Sequence, residues 1–158
     1  MVCFNPIGKV AIENGRYFIE LDGEVFAAVQ GLEDFSHIKM IWWFNLYDSE
    51  ETRKYYVMDK PYKKGPDKIG VFATRGPVRP NPIAVTVCKL LSVDAQKHRI
   101  EIAYTDAENE TPVLDLKPYY PCEDRVREAS VPGWCAHWPK YFEDGDDFDW
   151  SAEFNFPE

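Results

Sequence analysis

No run of apolar residues in this 158-residue chain approaches a membrane span, which needs about 20 in succession. The opening residues, MVCFNPIGKV, lack the basic start and long apolar stretch of a secretory signal. Cysteine is scarce: Cys3, Cys88, Cys122 and Cys135 form no C-x-x-C pair and no framework spacing, which argues against a disulfide-stapled scaffold or a zinc ribbon. The three histidines are widely separated and give no metal-ligand cluster. G-x-S-x-G, P-loop and G-x-G-x-x-G strings are all missing, so hydrolase, NTPase and dinucleotide-binding readings lack support. There is no internal repeat and no low-complexity linker. The expectation is a reduced, cytoplasmic, metal-free protein with no membrane segment, long enough to bury one core.

Charge is unevenly spread. Of the net −9, seven acids lie in 141–158, where there is no base, leaving −2 for residues 1–140. Between Arg53 and Arg79 eight Lys/Arg face only Asp59 and Asp67, a local +6. Tyr55, Tyr56 and Tyr62 sit among these cations. Cations interleaved with aromatics can hold phosphates and stack bases, and Lys54, Lys60, Lys63, Lys64 and Lys68 are the candidate RNA contacts. A solvated loop has the same composition.

What the chain has in abundance is strand pattern. IGKVAI and RYFIEL flank Glu13-Asn14-Gly15, and Asn-Gly is a strong hairpin signal. IKMIWWFNL (38–46) is almost continuously apolar, as expected of a strand buried on both faces. KYYVMD, IAVTVCKLLSVD and HRIEIAYTD read as further strands, and Val71–Phe72–Ala73 as another. Only VFAAVQGLEDFSHI suggests a short helix, interrupted at Gly31. Many short strands with punctuated connections predict a mainly β barrel or sandwich with short helices. In the tail, Phe148, Trp150, Phe154 and Phe156 alternate with polar residues, so 148–156 is expected to be a strand with an aromatic face, packed as an arm on the barrel. Its acids would then lie on the other face, near the 53–79 cations.

Three patches remain. GVFATRGPVRPNPIAV (70–85) carries prolines at 77, 80 and 82, which fix φ and remove backbone donors, so it must be a stiff, shaped loop. Arg75, Arg79 and Asn81 on such a loop suggest that it grips something. In TPVLDLKPYYP (111–121), an extended backbone sends Asp115, Lys117 and Tyr119 to one side. Asp115 and Lys117 could equally be an exposed ion pair worth little. LEDFSHI (32–38) places His37 just before the aromatic strand.

Together, GLEDFSHIKMIWWF, GVFATRGPVRPNPIAVTVCKLL and TPVLDLKPYYP resemble the TsaA-like, or TrmO, family, over roughly Ile7 to Trp138. The resemblance implies an S-adenosylmethionine-dependent methyltransferase built on a small β-barrel and assembled as a homodimer. Its acceptor would be the exocyclic nitrogen of threonylcarbamoyl-adenosine in tRNA. On the residues that match, Phe72, Ala73, Thr74 and Arg75 would line the cofactor, Arg79 and Asn81 would complete its pocket or reach in from a neighbouring subunit, and His37 and Leu114 would lie beside it. A carboxylate suits an arginine fork, and a sulfonium suits an aromatic face. Asp115 would be the base or acceptor-orienting group, with Lys117 and Tyr119 orienting the substrate or tuning it. Two departures stand out: the P-R-Q segment usual after the first strand is replaced by the hairpin AIENGRYFIEL, and the acidic aromatic arm (141–158) follows a barrel domain at 1–140. A methyltransferase of a small molecule or protein side chain, or a non-catalytic S-adenosylmethionine sensor, are the alternatives.

Overall fold

Asn14 and Gly15 reverse the chain within two residues, both at positive φ (52° and 75°), as a type I′ turn requires. The flanking strands, β1 (Gly8–Glu13) and β2 (Arg16–Leu21), pair from Glu13↔Arg16 to Gly8↔Leu21. The computed structural model describes residues 3–155. It continues with β3 (His37–Trp43), β4 (Val57–Asp59), β5 (Lys68–Gly70), β6 (Ile83–Asp94), β7 (Arg99–Ile102) and β8 (Pro112–Pro118). Single-turn helices α1 (Glu50–Arg53) and α2 (Pro121–Asp124) lie between or after them. Six strands close an antiparallel barrel in the order β1-β2-β7-β6-β3-β8, while β4 and β5 form a separate ribbon. The expected mainly β barrel with short helices is what the chain adopts.

Inward side chains fill the barrel. Val10, Ile19, Ile38, Met40, Ile100, Ile102 and Val113 are at most 1% exposed. Burial of each such side chain is worth about 1.5–3 kcal/mol. Among the described residues no helix is long and apolar enough to cross a membrane.

Four local expectations need correction. The aromatic strand ends at Trp43 and alternates: Ile38, Met40 and Trp42 are buried, whereas His37, Lys39, Ile41 and Trp43 are half-buried on the outer face. That face is partly covered, because Trp43 donates to Asp48 (3.0 Å) under the Arg53 guanidinium and Lys39 pairs with Asp124. The helix expected in 25–38 is two short 3-10 turns, Val25–Val29 and Leu32–Asp34, separated by Gly31 at φ 85°. Val71–Ala73 is a 3-10 turn rather than strand, since β5 ends at Gly70.

The fourth concerns the arm, which packs but not as a strand. Asp149 caps a 3-10 turn at Trp150–Ala152 through the Ala152 N–H. Trp150 and Phe154 therefore meet in turn fashion, with ring centroids 6.0 Å apart. Phe154 bridges Tyr62 and packs with Trp138, and Trp134 stacks on Tyr62. Phe156 lies outside the described residues. Among the described residues of the arm the most deeply buried is an acid, Glu153, 4% exposed. Its carboxylate accepts from His137 Nε2 (2.8 Å), Trp138 Nε1 (3.1 Å) and Lys64 Nζ (3.0 Å). The bonds from His137 and Trp138, and then Lys64, outweigh burial and hold its carboxyl at about 2.

A depressed carboxyl stabilises the fold fully above the unfolded-state value and ceases to do so as pH falls through the folded one. Acid titration monitored by tryptophan fluorescence should therefore show arm stability declining between about pH 4.5 and pH 2, and Glu153→Gln should flatten that segment of the profile.

Candidate functional site

Between β5 and β6 the proline-rich loop is held by its own arginines. Arg79 Nη2 donates to Val71 O (3.1 Å) and Thr74 O (3.0 Å). The buried Thr74 hydroxyl donates to Val71 O (2.9 Å) and accepts from Gly76 N–H (3.4 Å). Pro82 is fully buried, and its carbonyl accepts from Phe44 N–H (2.8 Å). The loop is thus a fixed scaffold, as three prolines in it require. It presents Phe72, 82% exposed, together with exposed Ala73, Arg75 and Asn81. Arg75 leans onto the barrel, where Nη2 donates to Val85 O (2.5 Å). Arg79, by contrast, shapes the loop from within.

A bulge determines what the barrel wall shows. Trp42 pairs with Val113 and Ile41 with Asp115, so Leu114 is an extra residue between them. Strict alternation from the buried Val113 would send Asp115 into the core; the bulge turns it outward. The outer face of β6, β3 and β8 then reads in rows: Val85–Ile41–Asp115, Val87–Lys39–Lys117, and Lys89–His37 with Tyr119, whose N–H donates to His37 O (3.1 Å). With strands about 4.8 Å apart, Val85, where Arg75 docks, lies about 10 Å across the wall from Asp115.

Asp115, Lys117, Tyr119 and His37, singled out from sequence, thus share the outer wall, and Arg75 docks on its β6 strand, with the exposed Phe72 on the same loop. Asp115 Oδ1 accepts Leu116 N–H (2.9 Å) and Oδ2 the Lys117 ammonium (2.9 Å), both side chains being half exposed. This contact raises the Lys117 pKa. His37 Nδ1 meets Ser36 Oγ (2.9 Å), and its ring faces Tyr119 edgewise. Sequence reading missed Lys39 and Asp124, which pair on the same wall. Asp124 also accepts Tyr120 N–H (3.0 Å), and the bond from Lys39 lowers its pKa. The available signal was Lys39 itself, a lone charge inside IKMIWWF.

The lysines expected to meet RNA lie elsewhere, and each has a partner in the chain. Lys54 faces Glu50 (3.5 Å), Lys60 Asp67 (3.2 Å) and Lys68 Asp59 (3.9 Å). Lys63 Nζ donates to Ser151 O (2.9 Å), and Lys64 reaches the buried Glu153. Tyr55 and Tyr56 are exposed, but Tyr62 is buried in the aromatic cluster and has no face for a base. Among the described residues no group of three or more His, Cys, Asp or Glu could hold a metal, and the four cysteines are free.

Removing Arg79 would take its donor from Thr74 O at the loop's root, while Val71 O keeps the Thr74 hydroxyl and N–H. Leaving such a group unpaired costs about 1–3 kcal/mol when buried. Arg79→Ala should lower stability by about that amount in urea denaturation, and Arg79→Lys should restore only part, because a single ammonium replaces a planar fork.

Residues 5–125 match the family model of the tRNA-methyltransferase O N-terminal domain. A probable S-adenosyl-L-methionine-binding protein of Pyrococcus abyssi is 33% identical over 149 residues, covering 85% of this chain and 76% of the relative. The tRNA (adenine(37)-N6)-methyltransferase of Escherichia coli is 33% identical over 126 residues, covering 78% of this chain and 53% of that enzyme. The crystal structure of TrmO from Pseudomonas aeruginosa superposes with a TM-score of 0.62 at 27% identity, over 82% of this chain and 61% of that one. The chain thus spans about three-fifths of the solved structure's length.

Proposed function

The chain belongs to the tRNA-methyltransferase O family, and on that premise we propose that it is an S-adenosylmethionine-dependent methyltransferase acting on tRNA. The acceptor in this reading is the exocyclic nitrogen of threonylcarbamoyl-adenosine. The observation that carries it is the shared surface: a rigid loop with an exposed aromatic and an arginine stands beside a wall bearing Asp115, Lys117, His37 and Tyr119.

The groups present fit such a cofactor. The Arg75 guanidinium has the fork geometry that a carboxylate prefers, and the exposed Phe72 ring suits a sulfonium or an adenine. In this reading Ala73 and Asn81 of the loop and Leu114 of the wall would complete the pocket, with Thr74 and Arg79 holding the loop in shape. When bound, S-adenosylmethionine supplies a methyl group on a positively charged sulfur that departs as a neutral thioether. The protein's work is mainly to hold the nitrogen in line, at near-attack distance. That nitrogen must lose its proton as the new N–C bond forms. Asp115 Oδ2 is the atom to receive it, after Lys117 has released that oxygen. Tyr119 and His37 orient the acceptor from the row beyond Lys117.

A homodimer belongs to this proposal. Phe72 and Val85 leave apolar surface exposed beside Arg75, and a second copy would cover it and help enclose the cofactor. Light scattering at micromolar concentration should give about twice the 18.4 kDa chain mass; a species at the chain mass alone would remove the dimer. One observation supports a second reading, in which the acceptor is a small molecule or a protein side chain: Lys54, Lys60, Lys63, Lys64 and Lys68 are all engaged within the chain.

Labelled methyl transfer to total tRNA from cells lacking this modification separates the readings, since only the first yields labelled tRNA. On the tRNA substrate, Asp115→Asn should keep cofactor affinity while reducing kcat by about 10²-fold or more, the scale of a lost general base. Unchanged turnover would take that role from Asp115.

A further inference from the structure

Three nitrogen donors from two distant segments converge on one carboxylate at Glu153. Lys64 comes from the basic stretch, and His137 and Trp138 from the segment after α2. The neighbouring Lys63 ammonium is bound by the arm's backbone at Ser151 O (2.9 Å). Arm and basic stretch are also joined by Lys63 N–H to Glu153 O (2.8 Å), Asn155 N–H to Pro61 O (2.9 Å) and Asn155 Nδ2 to Lys60 O (2.7 Å), and by the Phe154 ring against Tyr62. The Asp149 carboxylate of the arm also acts on Lys63, and the arm carries Glu143, Asp144, Asp146 and Asp147 besides, with no base. Docked, it makes the surroundings of Lys63 and Lys64 negative; undocked, it leaves them positive.

We propose that Lys63, Lys64, His137 and Trp138 form a phosphate-binding site for the backbone of RNA, and that the chain's own arm occupies it, with the Glu153 carboxylate standing where a phosphodiester would sit. The chemistry of the two occupants is alike. Carboxylate and phosphate oxygens accept the same charge-assisted bonds from an ammonium and from imidazole and indole N–H groups. The arm's hold is of a kind that can be exchanged. Its elements are single 3-10 turns with Tyr141 and Phe142 exposed, and its apolar hold is confined to Phe148, Trp150 and Phe154 against His137, Trp138 and Tyr62, a few rings that a single substitution can weaken. Polyanion and arm then compete for the same donors. RNA must contribute enough phosphate contacts to displace the arm, which disfavours short or stray phosphates and favours a long, folded substrate. The inference rests on the reading of RNA as the acceptor-bearing partner, but on no step of the methyl transfer.

The test is the binding of a short, fluorescein-labelled oligouridylate to the full-length protein without cofactor, followed by anisotropy over a range of salt concentrations. Glu153→Gln removes the competing charge, and Glu153→Gln/Phe154→Ala also removes the ring that packs on Tyr62. Chymotryptic cleavage at Phe148, half-buried against His137 in the docked arm, reports whether the arm has come away. The expected result is severalfold tighter binding, with the slope of log K against log[salt] steeper by about 0.7 for each lysine released. Adding Lys63→Ala and Lys64→Ala to the double variant should abolish the gain. Wild-type affinity and slope with the arm released would overturn the proposal, as would a gain that survives loss of both lysines. An arm that stays docked in both variants with no gain overturns it too, since the site requires a releasable arm. Because no readout uses turnover, a failure here leaves the methyl-transfer reading standing, and a failed methylation assay leaves this site standing.

Discussion

A six-stranded barrel whose interior is filled with buried side chains leaves the outer wall and the loops fastened to it as the surfaces on which the candidate site can stand. Barrels of about eight strands are only just wide enough to fill with side chains; here Ile19, Ile38, Met40, Ile100, Ile102 and Val113 close the narrower space completely. The seam is short, with β1 and β8 pairing only at Gly8↔Val113 and Lys9↔Pro112. It is extended by backbone bonds from Ile7 N–H to Val113 O and Val10 N–H to Thr111 O. Gly8 is required there, since a Cβ would collide with the backbone of Glu20 and Leu21. With the inside filled and the edges paired, recognition has to be built on the outer wall and on loops fastened to it.

Much of this architecture is legible in the residues. The Asn-Gly turn, the alternation of Ile100 and Ile102, and the three prolines of the 71–82 loop each act through local sterics, and local sterics are written in local sequence. The shared orientation of Asp115 and Lys117 was legible too, but for an incomplete reason. Alternation relates them to each other; which side of the wall they face depends on the bulge at Leu114. A bulge is a property of pairing with β3, and no pattern within TPVLDLKPYYP discloses it.

The arm illustrates the opposite failure. Its aromatics recur every second residue, yet Trp150 and Phe154 are also four apart, so the same letters satisfy a turn. Asp149 decides between the two by capping the 3-10 turn. Alternation puts Glu153 on the arm's polar face near the 53–79 cations but does not disclose its burial, because its three donors lie 15 or more residues away in the chain. Burial of a carboxylate is tolerable only where such donors meet it, and the meeting is created by Tyr62, whose stacking with Trp134 and contact with Phe154 bring the basic stretch, the 133–138 turn and the arm together.

The charges of the molecule therefore fall into two kinds that composition cannot separate. Pairs such as Lys60–Asp67 and Lys68–Asp59 are exposed on both sides, contribute about 0–1 kcal/mol, and yield readily to a competing anion. Lys64 is different, because its partner is buried and bonded by two further N–H groups. An incoming phosphate can exchange with an exposed carboxylate at almost no cost, but to reach Lys64 it must replace Glu153 among all its donors at once. On the wall, the Asp115–Lys117 pair is half exposed and of the yielding kind, whereas Lys39–Asp124 is better shielded and pins α2 to β3. The two ion pairs thus divide the labour on one surface. The shielded pair keeps the wall's frame constant, and the open pair is free to rearrange.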